Sequence, residues 1–113
     1  MNWIVRGGAI VAMLLSLAMP AFADSRIDSR ALRALFPGTF SVRIDGIPAT
    51  FVASHGGRLV GKAVIGSDSG RWSVRGRLLC ISLRNMYDGK TKCMSVRQNG
   101  SWYRTRDFSF RRI

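Results

Sequence analysis

From Phe40 to the C-terminus, apolar and polar residues alternate with a period of two, and glycine, aspartate or asparagine interrupts the alternation at short intervals. Residues 40–44 read as a first strand, and Asp45-Gly46 supplies a tight hairpin signal before a second strand over 49–53. His55-Gly56-Gly57 is the next turn, followed by a strand over 59–65, the break Gly66-Ser67-Asp68-Ser69-Gly70, and a strand over 71–75 with Trp72 and Val74 on one face. Gly76 lets the chain reverse into a more continuously apolar strand over 78–83. Asp88-Gly89 turns, Met94 and Val96 alternate with Ser95 and Arg97, Asn99-Gly100 turns again, and a last strand occupies 102–110. Before this region the period is 3.6: Ile27, Ala31, Leu32, Leu35 and Phe36 predict a short helix in the lead-in 24–36, capped by Ser25 or Asp28 and ended by Pro37-Gly38.

About seven short strands with connections too short for a parallel crossover predict an all-β antiparallel meander. No strand is long enough to stand alone, so the sheet should curve into a small barrel over 37–113 that buries Phe40, Val42, Phe51, Leu59, Trp72, Val74, Ile81, Leu83, Val96 and Tyr103.

The first 23 residues follow a different logic. A short n-region with the single cation Arg6, an apolar run over 7–19, Pro20 and the small-x-small site Ala21-Phe22-Ala23 predict an export signal peptide cleaved before Asp24. Its apolar run falls short of the roughly 20 residues a membrane-crossing helix needs. The mature chain should then be a single domain without a transmembrane segment, periplasmic or secreted, in an oxidising compartment where cysteines can join.

Cys80 and Cys93 are the only cysteines. Leu79, Ile81 and Leu83 share one face of their strand and leave Cys80 on the other; Met94 and Val96 likewise leave Cys93 opposite. The phases agree, which predicts a structural disulfide. A two-residue turn at Asp88-Gly89 would set Cys80 against Arg97, so direct apposition needs a longer or bulged loop.

Charge changes the picture more than composition does. The 90 residues after the predicted cleavage site carry 17 Lys and Arg against six Asp and no Glu, a formal charge of +11, and 15 of the 18 basic residues in the whole chain are Arg. The planar guanidinium fork matches phosphate, sulfate and carboxylate groups. If the outward residues of strands 71–75 and 102–110 share a surface, Arg71, Arg75, Arg104 and Arg106 with Trp102 form a candidate anion-binding face. The competing reading is an ordinary solvated sheet whose arginines discourage edge pairing.

Candidate chemistry is sparse. His55 is the only histidine and lies in a turn, where neighbouring Ser54 points the other way; Asp45, Asp68 and Asp88 are turn residues. Two cysteines and one histidine make no convincing zinc site. The expectation is a protein that is not an enzyme and carries no cofactor or metal. It would bind an anionic polysaccharide, lipopolysaccharide or an anionic lipid surface, with no specific nucleic acid partner. Alternatives are a protein-binding module, such as an inhibitor of a cell-wall-degrading enzyme, and a small-molecule carrier with a lipocalin-like pocket.

The series Gly38-Thr39-Phe40, Gly70-Arg71-Trp72-Ser73-Val74-Arg75-Gly76, Leu79-Cys80-Ile81, Cys93-Met94-Ser95-Val96 and Gly100-Ser101-Trp102-Tyr103 resembles a family of small exported proteins of alphaproteobacteria. The resemblance spans residues 37–106. It implies a compact antiparallel β fold with the two cysteines bridged, and it implies no activity.

Overall fold

The computed structural model describes residues 25–113; the predicted signal peptide and its cleavage site lie outside them. Ten strands and one helix follow in order: β1 (Ser25–Arg26), α1 (Ser29–Leu35), β2 (Gly38–Ile44), β3 (Ile47–Ala53), β4 (Arg58–Ala63), β5 (Gly66–Arg75), β6 (Leu78–Leu83), β7 (Thr91–Ser95), β8 (Arg97–Asn99), β9 (Trp102–Arg104) and β10 (Ser109–Arg112). All strands belong to one antiparallel sheet in the order β1-β8-β9-β10-β2-β3-β4-β5-β6-β7. Strands β2 to β7 are a simple meander, and the C-terminal strand β10 returns to pair with β2. Only Val96 separates β7, which pairs with β6, from β8, which pairs with β9. One nearly continuous strand therefore bends from one edge of the sheet to the other and brings it close to a closed barrel.

The interior follows the alternation. Phe40, Val42, Leu59, Ile81, Leu83 and Val96 are buried as predicted, and Phe51, Trp72, Val74 and Tyr103 are half-buried against them. Leu79, Met94 and Phe110 complete the wall. Helix α1 stoppers one end. Asp28 is its N-cap and accepts from the Ala31 N–H at 2.9 Å, satisfying one of the free amides of the first turn. Leu32 is fully buried, and the Phe36 ring lies 4.7 Å from Phe40 and 5.2 Å from Trp72. At the helix C-terminus, Arg112 donates to the carbonyls of Leu35 (2.9 Å) and Ala34 (3.4 Å), placing a cation where the helix dipole favours one.

Several expectations need correction. There are ten strands, not seven. Ser25–Arg26, read as part of the helical lead-in, pairs as strand β1 with β8. The polar stretch Gly66 to Gly70, read as a loop, is the first half of β5, and the reversal occurs at Val64-Ile65, because Ala63 pairs directly with Gly66. The last predicted strand is broken into β9 and β10 by a turn in which Thr105 Oγ1 accepts from the Asp107 and Phe108 amides and donates to the Phe108 carbonyl.

Two features of the meander depend on glycine. Asp45 and Gly46 have φ of 51° and 81°, the left-handed pair that a two-residue turn between β2 and β3 requires. At Gly70, a Cβ would overlap the Ser82 carbonyl oxygen of β6, so the close approach of β5 to β6 tolerates no side chain there.

Cys80 pairs directly with Cys93, Cα to Cα 4.0 Å, and the two form a disulfide. The condition set by the sequence is met: seven residues, 84–90, lie between β6 and β7 in place of a two-residue turn. Asp68 of β5 holds that loop down, accepting from the Asn85 N–H at 3.0 Å and the Met86 N–H at 2.9 Å.

Candidate anion-binding site

Cross-strand register decides which basic side chains meet. Val96, Tyr103, Phe110 and Val42 face the interior, so Arg97, Arg104, Ser109 and Arg43 face outward. The pairings Arg26 with Arg97, Arg97 with Arg104, Arg104 with Ser109, and Ser109 with Arg43 run this set across five neighbouring strands as one row. At roughly 4.8 Å per strand the row spans about 19 Å. Like charges directly opposite on a sheet are destabilising, yet Arg26, Arg97 and Arg104 are set against one another in succession.

The adjacent row carries the aromatic component. Two guanidinium groups approach the Trp102 ring, Arg111 at 5.2 Å and Arg43 at 5.6 Å from its centroid. Both distances are within cation–π range. Arg106 is in the turn beyond β9, where its Nε donates to Asp107 Oδ1 at 3.2 Å, and with Arg43 and Arg104 it borders a shallow depression of about 340 Å³.

The five residues singled out from sequence therefore do not form one patch. Trp102, Arg104 and Arg106 come together with Arg26, Arg43, Arg97 and Arg111, whereas Arg71 and Arg75 are on β5, with four strands between it and β9 in the hydrogen-bonded order. The strand alternation identified outward residues correctly. It could not reveal that β10 folds back to β2, which is what recruits Arg43 and Arg111 to Trp102.

Arg71 and Arg75 belong to a separate cleft of about 600 Å³ near α1. Strand β4 begins at Arg58, opposite Arg71, so β5 runs on past it for four residues. The His55-Gly56-Gly57 turn closes one side of the gap and Arg33 of α1 reaches another. His55 thus lines a cleft, although its sequence context gave only a turn.

The aspartates serve structure where their contacts are visible. Asp68 is held below the ordinary 3.8: burial pushes it up, but amides of Asn85, Met86 and Ser69 and the nearby Arg84 outweigh that. Asp107 is also lowered, first by the hydrogen bond from Tyr87 Oη at 2.7 Å and then by Arg106 and Lys92, against a smaller effect of burial. Among the described residues no group of three His, Cys, Asp or Glu could hold a metal ion, and no helix is long and apolar enough to cross a membrane.

Comparison of the chain with protein-family models, with curated proteins and with solved structures finds no match.

Proposed function

We propose that this protein is a non-catalytic, exported binding module for an anionic component of the cell envelope, acting in the periplasm or outside the cell. The observation that carries the reading is the arginine row Arg26–Arg97–Arg104, extended by Arg43 and flanked by Trp102 with Arg43 and Arg111 in cation–π range of its ring. Arg26 and Arg97 are directly opposed cations, which folding alone disfavours. A bound polyanion would relieve that repulsion, and a row about 19 Å long suits an extended ligand over a point ion. An acidic polysaccharide fits best, because its carboxylates or sulfates would meet the guanidinium forks while sugar faces stack on the indole. Lipopolysaccharide and anionic lipid surfaces share the charge without the repeat. The disulfide supports an extracytoplasmic location.

The test is binding of the oxidised protein to an acidic polysaccharide, lipopolysaccharide and anionic vesicles across a salt series, against a scrambled basic peptide. Selective binding that weakens steeply with salt, and that falls at least tenfold when Arg43, Arg97 and Arg104 become Ser, is expected. Affinity equal to the peptide's, or unchanged by the substitutions, refutes the reading.

One further observation favours a protein-binding role. Val64 and Ile65, at the β4–β5 hairpin tip, are 95% and 80% exposed, and a mouth of about 440 Å³ lined by Ile44, Ile47, Phe51 and Met86 opens beside them. Loss of a captured protein partner on Val64→Ser with Ile65→Ser would favour that alternative. A lipocalin-like carrier finds no such support: the aromatic interior leaves only about 20 Å³ between Phe36, Phe40, Phe51 and Phe110.

A further inference from the structure

The 600 Å³ cleft beside α1 is unlike the arginine row in shape, composition and the size of ligand it would hold. It is a cleft broadly open to solvent, and its volume falls in the range of small-molecule pockets. Three arginines line it from two elements, Arg33 from α1 and Arg71 and Arg75 from β5.

The setting of Arg71 is preorganised. Arg71 Nη2 donates to the Gly56 carbonyl at 2.8 Å, which fixes the fork against the turn and leaves other N–H groups for a ligand. Trp72 Nε1 donates to the Ser54 carbonyl at 2.9 Å, and the Trp72 N–H donates to the Gly57 carbonyl at 2.8 Å. These two bonds pin the same turn to the strand from the other side. The lining beyond Arg71 carries three hydroxyls, of Ser73, Ser82 and Thr91. Register sets Arg71 against Ser82 and Ser82 against Thr91, while Ser73 is one position along on the same face, beside the Cys80–Cys93 bridge. Ser82 and Thr91 lie side by side on strands roughly 4.8 Å apart, with Ser73 diagonal to Ser82, and the three hydroxyls offer donors and acceptors to neutral oxygens.

We infer that this cleft is a site for a small phosphorylated polyol, a sugar phosphate in chemical class. Three guanidinium groups match a phosphate dianion better than a single carboxylate, and the hydroxyl wall would meet the sugar's own hydroxyls. The inference goes beyond the reading of the arginine row, since it concerns different residues and a different ligand.

The experiment is calorimetric titration of the oxidised protein with glucose 1-phosphate, inorganic phosphate and glucose, on the wild type and on Arg33→Ser, Arg75→Ser, Ser82→Ala and Arg97→Glu. Arg71 is left intact because it braces the Gly56 turn. Saturable one-to-one binding of glucose 1-phosphate is expected, with inorganic phosphate weaker and glucose silent. Arg33→Ser and Arg75→Ser should each weaken it about tenfold at unchanged melting temperature, Ser82→Ala a few-fold, and Arg97→Glu not at all. Absence of saturable binding, equal binding of glucose, or indifference to Arg33→Ser and Arg75→Ser would overturn the inference. A protein that binds acidic polysaccharide but no sugar phosphate would overturn this inference alone; the converse would overturn the reading of the arginine row alone.

Discussion

Replacing Arg97 with Glu should make the protein more stable and a worse polyanion binder at once. Arg97 is the middle of the row, directly opposite Arg26 on one side and Arg104 on the other. With charge centres roughly 6 Å apart in water, each unit pair is worth about 0.7 kcal/mol, and salt near 0.15 M, with a screening length of about 8 Å, roughly halves it. Changing the sign of the Arg26 pair turns repulsion into attraction and gives a gain of about 0.7 kcal/mol. For a domain of this size that is a rise of about 3–6 °C in melting temperature. Circular-dichroism melts at low salt and at about 1 M salt, where the screening length is about 3 Å, would check it: the variant's advantage should be large in the first and nearly vanish in the second. Binding of an acidic polysaccharide should fall at least tenfold in parallel. A variant that melts no higher than wild type at low salt, or one that keeps its polysaccharide affinity, would refute the reasoning that the row stores repulsion for a ligand to relieve.

Other outcomes test the fold. Replacing both Cys80 and Cys93 by Ala should cost about 3 kcal/mol, from the chain entropy of a loop spanning a sequence separation of 13, read as a drop in melting temperature. Cys80→Ser should cost more than Cys93→Ser, because Cys80 is 1% exposed and its hydroxyl would be buried, whereas Cys93 is exposed. Asp68→Asn should destabilise by about 1–3 kcal/mol through loss of charge-assisted bonds to the Asn85 and Met86 amides, with faster hydrogen exchange at those two positions as the local readout. Stability should also respond to pH at both extremes. Asp68 and Asp107 are held below 3.8, so their contribution is complete above 3.8 and is lost as pH falls from there through their lowered values. Tyr87 is pushed above its ordinary 10.0 by burial and by the bond to Asp107, so its contribution holds below 10.0 and is lost as pH rises through the raised value. Tyr87→Phe should remove the alkaline loss, which a pH series of melts would reveal.

Particular residues explain what was legible beforehand and what was not. Asp45-Gly46 could be recognised because a two-residue turn with positive φ admits few residue types. Val64-Ile65 could not: two β-branched apolar residues look like the end of a strand, and only the pairing of Ala63 with Gly66 identifies them as a turn. For the same reason Gly66 to Gly70 resembled a loop, since its small polar residues carry no alternation that a pattern can detect. Arg71, Arg75, Trp102, Arg104 and Arg106 were found as outward residues, but two separate surfaces hold them.

The amino-acid sequence by itself determined the local geometry. Period-two alternation assigned side chains to the interior or the exterior along most strands, Ser25 or Asp28 marked the start of the helix, Pro37-Gly38 its end, and the matched phases of Cys80 and Cys93 put both sulfurs on one side of their hairpin. These depend on backbone geometry over a few residues, which local side chains dictate. The tertiary structure decided adjacency between distant segments. The bend at Val96 and the return of β10 to β2 assemble Arg26, Arg97, Arg104, Arg43, Arg111 and Trp102 from both ends of the chain. The overhang of β5 past β4 creates the cleft around Arg71 and Arg75. The physical reason is that strand order and register are set by collective burial of the aromatic core, a property of the nearly closed sheet that no single stretch of alternation contains.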